Sequence, residues 1–433
     1  MASGTAIVQV RAREVFSGRG HPGVEATVVA ESGAKGVAVC TAGLSVGQHE
    51  VEFAYDGGTR WRGKGVLRAV NAVNEVIAPA LQGLDSSNQN LVDGVLLTIG
   101  GPNAKSRLGG NATAAVSAAV LKAGAEALGI PLYQHIGGAN ATVLPVPGVD
   151  ALNGADRYGG GQRAGDKPSH EFVCYGFDTF AEAAYAGWDV AQEWRDAVRK
   201  RFGVRGNFGA QIFLQPGQVK EDRELWGLMA EVIARRGYEG RIGLQIDVAA
   251  GTFFERGKGE KDTGKYVGLF SAVDKSRDDM LDYYSRMVRD FPFVILEDPL
   301  DEDDYEGHAI LTREVGIQIV GDDLFTTNPE RVAQGIRMGA ANCVLLKVNQ
   351  IGTISEAFDM VKLAYRRGYG VQPCASRGEG EAIVDYTVGL MCGTVRGGAI
   401  GPAANRFIEI ETELGSRGKF LGKSGFSGKL GMP

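Results

Sequence analysis

The sequence has few cysteines and no long hydrophobic run. Its five cysteines are odd in number and far apart, and no CxxC pair occurs. This pattern indicates reduced thiols rather than a disulfide framework or a zinc site. No stretch reaches the ~18 consecutive apolar residues of a membrane span, and residues 1–14 lack the plan of a signal peptide. We therefore expect a cytoplasmic protein that has no membrane partner.

The chain also lacks an excess of basic residues. It carries 46 Lys and Arg against 52 Asp and Glu, a formal charge of −6. A nucleic-acid-binding protein would show a basic face or stripe, so we expect no nucleic-acid partner. Proline is scarce too, with 14 residues against 64 glycines in a chain of 433. This composition predicts a globular protein. Since a domain usually takes about 100–200 residues, the length predicts two or three domains, or one large barrel with a smaller partner.

The first part of the chain predicts an α+β domain. Apolar and polar residues alternate over residues 5–55, and Gly-rich breaks divide this alternation into three strands. Apolar residues then recur at helical spacing over 65–81 and 111–128. We therefore expect a three-stranded meander with helices packed on it, in a domain that spans residues 1–140.

Beyond this domain, short apolar runs alternate with helical patterns. The runs lie at 242–248, 293–296, 317–320, 343–348 and 371–373, with helices such as 277–289, 328–337 and 354–366 between them. Repeated strand–helix units build a parallel sheet, and about eight of them in ~280 residues imply a closed (β/α)8 barrel. We therefore predict an α/β fold in which residues 141–433 form a barrel. Barrel enzymes carry their catalytic groups at the C-terminal ends of the strands.

Three carboxylates stand where predicted strands end. Asp247, Glu297 and Asp322 each follow an apolar run, and strand ends meet at one mouth of a barrel. Hard oxygen ligands in this number fit Mg²⁺, which takes the rest of its shell from water and substrate. The alternative is that each acid caps the helix that follows it. We favour a metal site because three successive strands show the same feature.

Lys347 ends the next apolar run, residues 344–346. A buried ammonium near a divalent cation has a lowered pKa and can serve as a general base. The alternative is a salt bridge to the neighbouring carboxylates. Proton abstraction next to a carboxylate requires a neutral amine and a metal that holds the charge of the ene-diolate. Lys347 and the three acids together predict that chemistry.

These residues lie in segments that closely resemble the enolase family. The segments are 17–22, 63–65, 246–250, 296–299, 302–304, 321–324, 327–329 and 346–353. The resemblance covers nearly the whole chain. It implies an N-terminal capping domain on an enolase-type barrel whose second strand, or first and second strands, run in the unusual direction. It also implies Mg²⁺ at the three acids, Lys347 as the base, and a second Mg²⁺ that arrives with a small anionic substrate. The family further implies a homodimer or a homo-octamer.

Other residues carried over by the resemblance match less evenly. Ser45 matches a loop serine that helps to hold the second Mg²⁺ once substrate binds. Glu171 matches one of two acids that assist departure of the hydroxyl group. His170 precedes it where the family usually has glutamine. The resemblance thus implies Ser45 and His170 as substrate contacts and Glu171 as an acid.

Gln211 departs from the family pattern at the position of the chief general acid. No Asp or Glu occurs between Asp196 and Glu221, so this acid is absent in any alignment. Glutamine cannot deliver a proton, and the loss of a positioned acid typically costs ~10²–10⁴-fold in rate. We expect Gln211 to hydrogen-bond the hydroxyl group. Glu171 or His170, or a water that they hold, would then supply the proton.

Arginines replace other family residues around the substrate. Arg396 stands for the lysine that neutralises the substrate carboxylate. Arg157, or Asp156, stands for a histidine, in a Gly-rich insert that we expect to form a remodelled lid. In the phosphate loop, Arg377 lies one place from the family's arginine, next to Ser376. The planar forks of these arginines suit carboxylate or phosphoryl oxygens.

These departures predict an enolase-like enzyme with a changed substrate. We expect a Mg²⁺-dependent hydro-lyase that abstracts the proton alpha to a carboxylate and eliminates water from a phosphoryl- or phosphonoformyl-bearing glycerate. Such a chain resembles the enolase-like paralogues of phosphonate antibiotic pathways that make carboxyphosphonoenolpyruvate. Two alternatives stay open. One is an ordinary enolase that converts 2-phosphoglycerate to phosphoenolpyruvate, and the other is a catalytically dead enolase fold kept for binding.

Overall fold

The computed structural model describes most of the chain. The described residues are 4–18, 20–43, 46–99, 104–154, 156–162, 164–165, 167–204, 212–257 and 264–431. Ser45 and Gln211, two of the predicted site residues, lie outside these ranges. Their roles therefore stay predictions.

The N-terminal domain has the predicted meander and helices. Its strands are β1 (Ile7–Phe16), β2 (Pro22–Ala30) and β3 (Lys35–Thr41), antiparallel in that order. Its helical elements are α1 (Leu67–Asn71), a π-helical segment (Ala72–Ile77), α2 (Ala78–Leu81), α3 (Gln89–Thr98), α4 (Ala104–Leu108), α5 (Gly110–Leu128) and α6 (Leu132–Gly137). The small residues of α5 let it lie directly on β3. A Cβ added at Gly36 would lie 1.9 Å from the carbonyl oxygen of Ala119.

Helix α5 is the most apolar long helix near the sheet, and it is buried in the N-terminal core. Within the described residues, no single helix is long and apolar enough to cross a membrane. One pair of helices, 110–128 and 132–140, meets that test only when joined, and the two are bent by 97° relative to each other.

The barrel follows, as predicted. The remaining strands are β4 (Val143–Leu144), β5 (Val146–Leu152), β6 (Ser169–Cys174), β7 (Ile242–Asp247), β8 (Phe254–Glu255), β9 (Lys265–Tyr266), β10 (Phe293–Glu297), β11 (Gln318–Gly321), β12 (Cys343–Leu346), β13 (Gly370–Pro373), β14 (Thr394–Gly398) and β15 (Lys419–Phe420). In the part of the chain that the structure describes, eight of them form one sheet in the order β13-β12-β11-β10-β7-β6-β5-β14. A bridge between Cys374 and Arg396 joins its two ends. The boundary after residue 140 stays a prediction.

Helices surround the barrel, and many begin at a side chain that caps the first turn. They are α7 (Phe180–Phe202), α8 (Arg223–Arg235), α9 (Arg277–Asp290), α10 (Tyr305–Val315), α11 (Pro329–Met338), α12 (Val348–Ile351), α13 (Ile354–Arg366), α14 (Ala382–Gly389) and α15 (Gly401–Leu414). Thr179, Ser276 and Thr353 each accept a hydrogen bond from a backbone N–H of the helix that follows. Such caps satisfy N–H groups that have no partner inside the helix.

Strand β6 breaks the regular alternation of strand and helix. It is antiparallel to both β5 and β7, and no helix separates β5 from β6 among the described residues between them. Strand β5 is parallel to β14. Of the two strands that the resemblance allowed to be reversed, only the second one is. Because β6 is reversed, its first residues lie at the mouth where the other strands end.

Candidate active site

Asp247, Glu297 and Asp322 lie at the same mouth of the barrel. Asp247 and Glu297 end β7 and β10 and are partners in the register of these strands. Asp322 follows β11 directly. The three residues are 1%, 0% and 5% exposed. Buried carboxylates at one mouth of a barrel repel one another, so the site requires positive charge.

Arg396 supplies part of that charge. Its Nη1 donates to Glu297 Oε1 at 2.9 Å and also to Asp247 Oδ2, while its Nε donates to Glu171 Oε1 at 3.3 Å. Burial by itself would lower the pKa of Arg396, but the facing carboxylates, Glu297 first among them, hold its pKa well above the ordinary value. Arg396, predicted to stand for the family's lysine, therefore ties three acids together.

Lys347 directly follows β12 and faces Asp322. Its Nζ donates to Asp322 Oδ2 at 2.5 Å, and Gln350 Nε2 donates to Oδ1 of the same carboxylate at 2.7 Å. Burial lowers the pKa of Lys347, but the negative charge of Asp322 outweighs burial, and the net pKa is raised. The prediction of a lowered pKa concerns Lys347 beside a divalent cation and stays a prediction. In the structure the carboxylate touches the ammonium directly, which raises the pKa. The salt bridge of the alternative interpretation is present.

Glu171 points into the barrel from β6. Its Oε1 accepts from Arg396, and its Oε2 accepts from the backbone N–H of Gly397 at 3.0 Å. Burial raises the pKa of Glu171 to about 7, with Asp150 adding to the rise and Arg396 opposing it. A carboxyl group with this pKa is partly protonated at neutral pH, so it can donate a proton or accept one.

His170 points the opposite way, contrary to the prediction that it contacts substrate or supplies the proton. Successive side chains of a strand face opposite sides of the sheet. His170 Nε2 therefore meets Trp226 Nε1 of α8 at 3.0 Å, outside the barrel. Burial lowers the pKa of His170 to about 4, so its ring is neutral at physiological pH.

Arg157 pairs with a carboxylate other than those of Asp247, Glu297 and Asp322. Its Nη2 lies 2.8 Å from Asp222 Oδ2, and both side chains are almost fully buried. The hydroxyl group of Tyr158 donates to the other oxygen of Asp222 at 2.7 Å. The guanidinium predicted to bind substrate is thus engaged within the chain. Asp156, the other candidate for this position, is exposed.

Arg377 joins the barrel to the N-terminal domain. Its Nη2 donates to Glu50 Oε1 at 2.5 Å, and both side chains are buried. The backbone carbonyl of Arg377 accepts from the N–H of Thr41 at 3.0 Å. Ser376, its neighbour in the phosphate loop, is half-buried. The predicted phosphate loop therefore lies against the N-terminal domain, close to Asp322.

Two residues of the site were missed in the sequence analysis. Lys167 Nζ donates to Asp247 Oδ2. The reversed second strand that the resemblance implies is the signal, because the residues just before such a strand lie at the mouth. Asp298 accepts from the backbone N–H groups of Asp322 and Asp323 at 3.0 Å and 2.7 Å. The position of Asp298 directly after Glu297 is the feature of the sequence that could have indicated it. Asp298 holds the turn after β11 in place and so orients Asp322.

The donor set fits a hard divalent cation. Asp247, Glu297 and Asp322 offer only carboxylate oxygens, the ligand type that Mg²⁺ prefers. Among the described residues, the three carboxylates whose oxygens all lie within 4.8 Å of one another are those of Asp298, Asp322 and Asp323. The Oδ1 atom of Asp323 is buried and has no hydrogen-bond partner among the described residues. The cations that face this acid group in the structure are those of the protein's own lysines and arginines.

Comparisons with known proteins agree with this geometry. Residues 7–136 match the family model of the enolase N-terminal domain, and residues 141–428 match that of the enolase C-terminal TIM barrel domain. A protein named enolase from Methanopyrus kandleri is 39% identical over 97% of this chain and 99% of its own length. Enolases from Methanocaldococcus jannaschii (40%, over 96% of this chain and 97% of its own) and Corynebacterium kroppenstedtii (38%, over 97% and 98%) are similar. The chain therefore belongs to the enolase family of hydro-lyases.

Proposed function

We propose that the protein is a Mg²⁺-dependent enolase that converts 2-phosphoglycerate to phosphoenolpyruvate. The observation that carries this proposal is the convergence of Asp247, Glu297 and Asp322 with Lys347 at one mouth of the barrel. Enolases generally depend on Mg²⁺, and relatives of this name are 38% to 40% identical over nearly the whole chain. Their name favours this reaction over elimination from a phosphonoformyl-bearing glycerate.

Lys347 acts as the base in this proposal. Asp247, Glu297 and Asp322 would hold the cation. When bound, it would offset the charge of Asp322, so that the pKa of Lys347 falls, and would stabilise negative charge on the substrate carboxylate. Lys347 takes the proton from the carbon next to that carboxylate. Its position is well defined, because the residue is 4% exposed and directly follows a strand of the barrel.

Glu171 acts as the acid that assists departure of the hydroxyl group. The group leaves as water when a proton from Glu171 joins it, and the electron pair of the broken C–H bond forms the new double bond. Burial raises the pKa of Glu171 to about 7, so a proton is available near neutral pH. The hydrogen bonds from Arg396 and Gly397 orient the carboxyl group. Gln211 is a further predicted hydrogen-bond partner of the hydroxyl group.

A phosphonoformyl-bearing glycerate is the second candidate substrate. Gln211, in place of the chief acid, favours it, because an enolase of central metabolism should not bear such a loss. The arginines do not favour it over 2-phosphoglycerate. Arg157 and Arg377 were predicted to bind carboxylate or phosphoryl oxygens, and each is already paired with a buried carboxylate of the chain. We therefore rank 2-phosphoglycerate first.

The test is turnover of 2-phosphoglycerate by the purified protein with Mg²⁺. We expect the ultraviolet absorbance of the enol product to appear and to be absent when EDTA is added before substrate. A protein that binds Mg²⁺ and exchanges the alpha proton, but forms no product from 2-phosphoglycerate, would favour the second substrate. A protein that binds no Mg²⁺ at millimolar concentration would be the dead enolase fold.

We further propose that the enzyme is a cytoplasmic homodimer or homo-octamer, as the family implies. Analytical ultracentrifugation of the full chain measures the number of chains in the oligomer directly. One chain has a mass of 45.9 kDa, and we expect a sedimenting mass of two or eight chains. A monomer at micromolar concentration would contradict the proposal.

A further inference from the structure

Lys167 reaches Asp247 at the mouth of the barrel because β6 is reversed. Ser169 and Glu171 are alternate residues of β6, so their side chains share the face that points into the barrel, and Lys167 lies just before the strand. Ser169 is the register partner of Asp247, the last residue of β7. The ammonium of Lys167 consequently meets Asp247 Oδ2. Ser169 and Glu171 both bond to Arg396, so the three residues line one side of the mouth.

Described residues of the Gly-rich segment 157–167, which carries Lys167, are held against the rest of the chain. Arg157 and Tyr158, near its start, both bond to the buried Asp222. Gly160 packs directly on the backbone of Val267, since a Cβ at this glycine would lie 1.8 Å from the carbonyl oxygen. Lys167 itself is only 9% exposed. The lysine is therefore a built part of the mouth and not a surface side chain.

Lys167 and a bound cation would require the same carboxylate oxygen. Asp247 Oδ2 accepts from Lys167 and from Arg396, and one carboxylate oxygen offers about two lone-pair directions. Arg396 is also bonded to Glu297, Glu171 and Ser169, which fix its planar fork. Lysine carries its charge on a flexible stem. Lys167 is thus the group that can move away from Asp247.

We propose that Lys167 is an internal competitor for the divalent cation. It neutralises Asp247 before the cation binds, and the cation displaces it. Its ammonium then lies free of Asp247 in the mouth, where the anionic groups of the substrate bind. This inference rests on the proposed function, because it takes Asp247 as a ligand of the cation. It gives the Gly-rich insert a role: the insert delivers a charge that sets the affinity of the site for metal.

Binding of Mn²⁺ to the substrate-free full chain tests the competition without any turnover. Free Mn²⁺ is measured by electron paramagnetic resonance for the wild type, Lys167→Met, Lys167→Arg and Lys265→Met. We expect Lys167→Met to bind Mn²⁺ about tenfold more tightly than wild type, the scale of a residue next to a ligand. Lys167→Arg, which keeps the charge, should stay near wild type. The control Lys265→Met removes a partly exposed lysine paired with Asp274 and should change nothing.

Equal or weaker Mn²⁺ binding by Lys167→Met would overturn the inference and leave the proposed function intact. Failure of the wild type to bind Mn²⁺ would remove the proposed function, and this inference with it. If Lys167→Met fails to fold, acylation of lysines in the wild type tests whether the cation displaces Lys167. Mass spectrometry should then show severalfold more modification of Lys167 with saturating Mn²⁺ than without it. Unchanged or reduced modification would contradict the displacement.

Discussion

The ammonium of Lys347 lies 2.5 Å from Asp322 Oδ2, so the proposed base and one proposed metal ligand form a single buried ion pair. Their side chains are 5% and 7% exposed. The two ends of the pair come from neighbouring parallel strands, β12 and β11, whose C-terminal ends meet. The base and the metal site are therefore electrostatically linked before any ligand arrives.

In EDTA, the ion pair of Lys347 and Asp322 should contribute to the free energy of unfolding of the protein. Lys347→Met leaves the carboxylate of Asp322 buried without its cation, and breaking one partner of a buried pair costs about 3–5 kcal/mol. Urea denaturation should show a loss of this size in the free energy of unfolding. Adding Asp322→Asn to the same protein should restore most of it, because the unpaired charge is gone. A double variant as unstable as Lys347→Met alone would show that the pair is not what the single substitution disturbs.

Glu171 provides a prediction about pH and about the separate steps of the reaction. Burial raises its pKa to about 7, and a general acid must be protonated to work. The elimination of water should therefore slow as the pH rises above about 7. Glu171→Gln should reduce elimination by ~10²–10⁴-fold and reduce alpha-proton exchange much less. Stopped-flow absorbance and deuterium exchange measure the two steps, and equal losses in both would exclude the assignment.

Glu50 provides a prediction for the junction of the two domains. Its carboxylate bonds to both terminal nitrogens of the buried Arg377. Glu50→Gln should destabilise the protein by about 3 kcal/mol, because it leaves a buried guanidinium without its counter-charge. Glu25→Gln is the matched control. Glu25 pairs with Arg13, which is 71% exposed, and such a pair contributes about 1 kcal/mol or less. Similar losses in both variants would remove the special role of the Glu50–Arg377 pair.

Much of the fold could be predicted because its signals are local. The alternation over 5–55 and the helical spacing over 111–128 each report on a short segment, and both elements are present. Asp247 and Glu297 could be placed at strand ends for the same reason. An apolar run that stops at a carboxylate shows directly where a buried strand reaches the surface of a barrel.

The remaining features depend on long-range relationships that periodicity does not contain. An apolar run indicates a strand but not its direction, so the reversal of β6 followed only from the resemblance. The resemblance did not single out Lys167, and it placed His170 in the mouth, although strand alternation turns this side chain toward Trp226. The pKa of Lys347 depends on the charges around it, of which Asp322 is the largest that raises it. The sequence does not reveal which carboxylate contacts the ammonium.

Exchange of the alpha proton of 2-phosphoglycerate into D₂O tests the central claim most directly. With Mg²⁺, the wild type and the control Lys362→Ala, an exposed lysine of α13, should both incorporate deuterium, as measured by nuclear magnetic resonance. Lys347→Ala should incorporate none, and its Mn²⁺ binding is measured to show that the folded site is retained. Deuterium incorporation by Lys347→Ala at the wild-type rate would show that another group takes the proton and would contradict the assignment of Lys347 as the base.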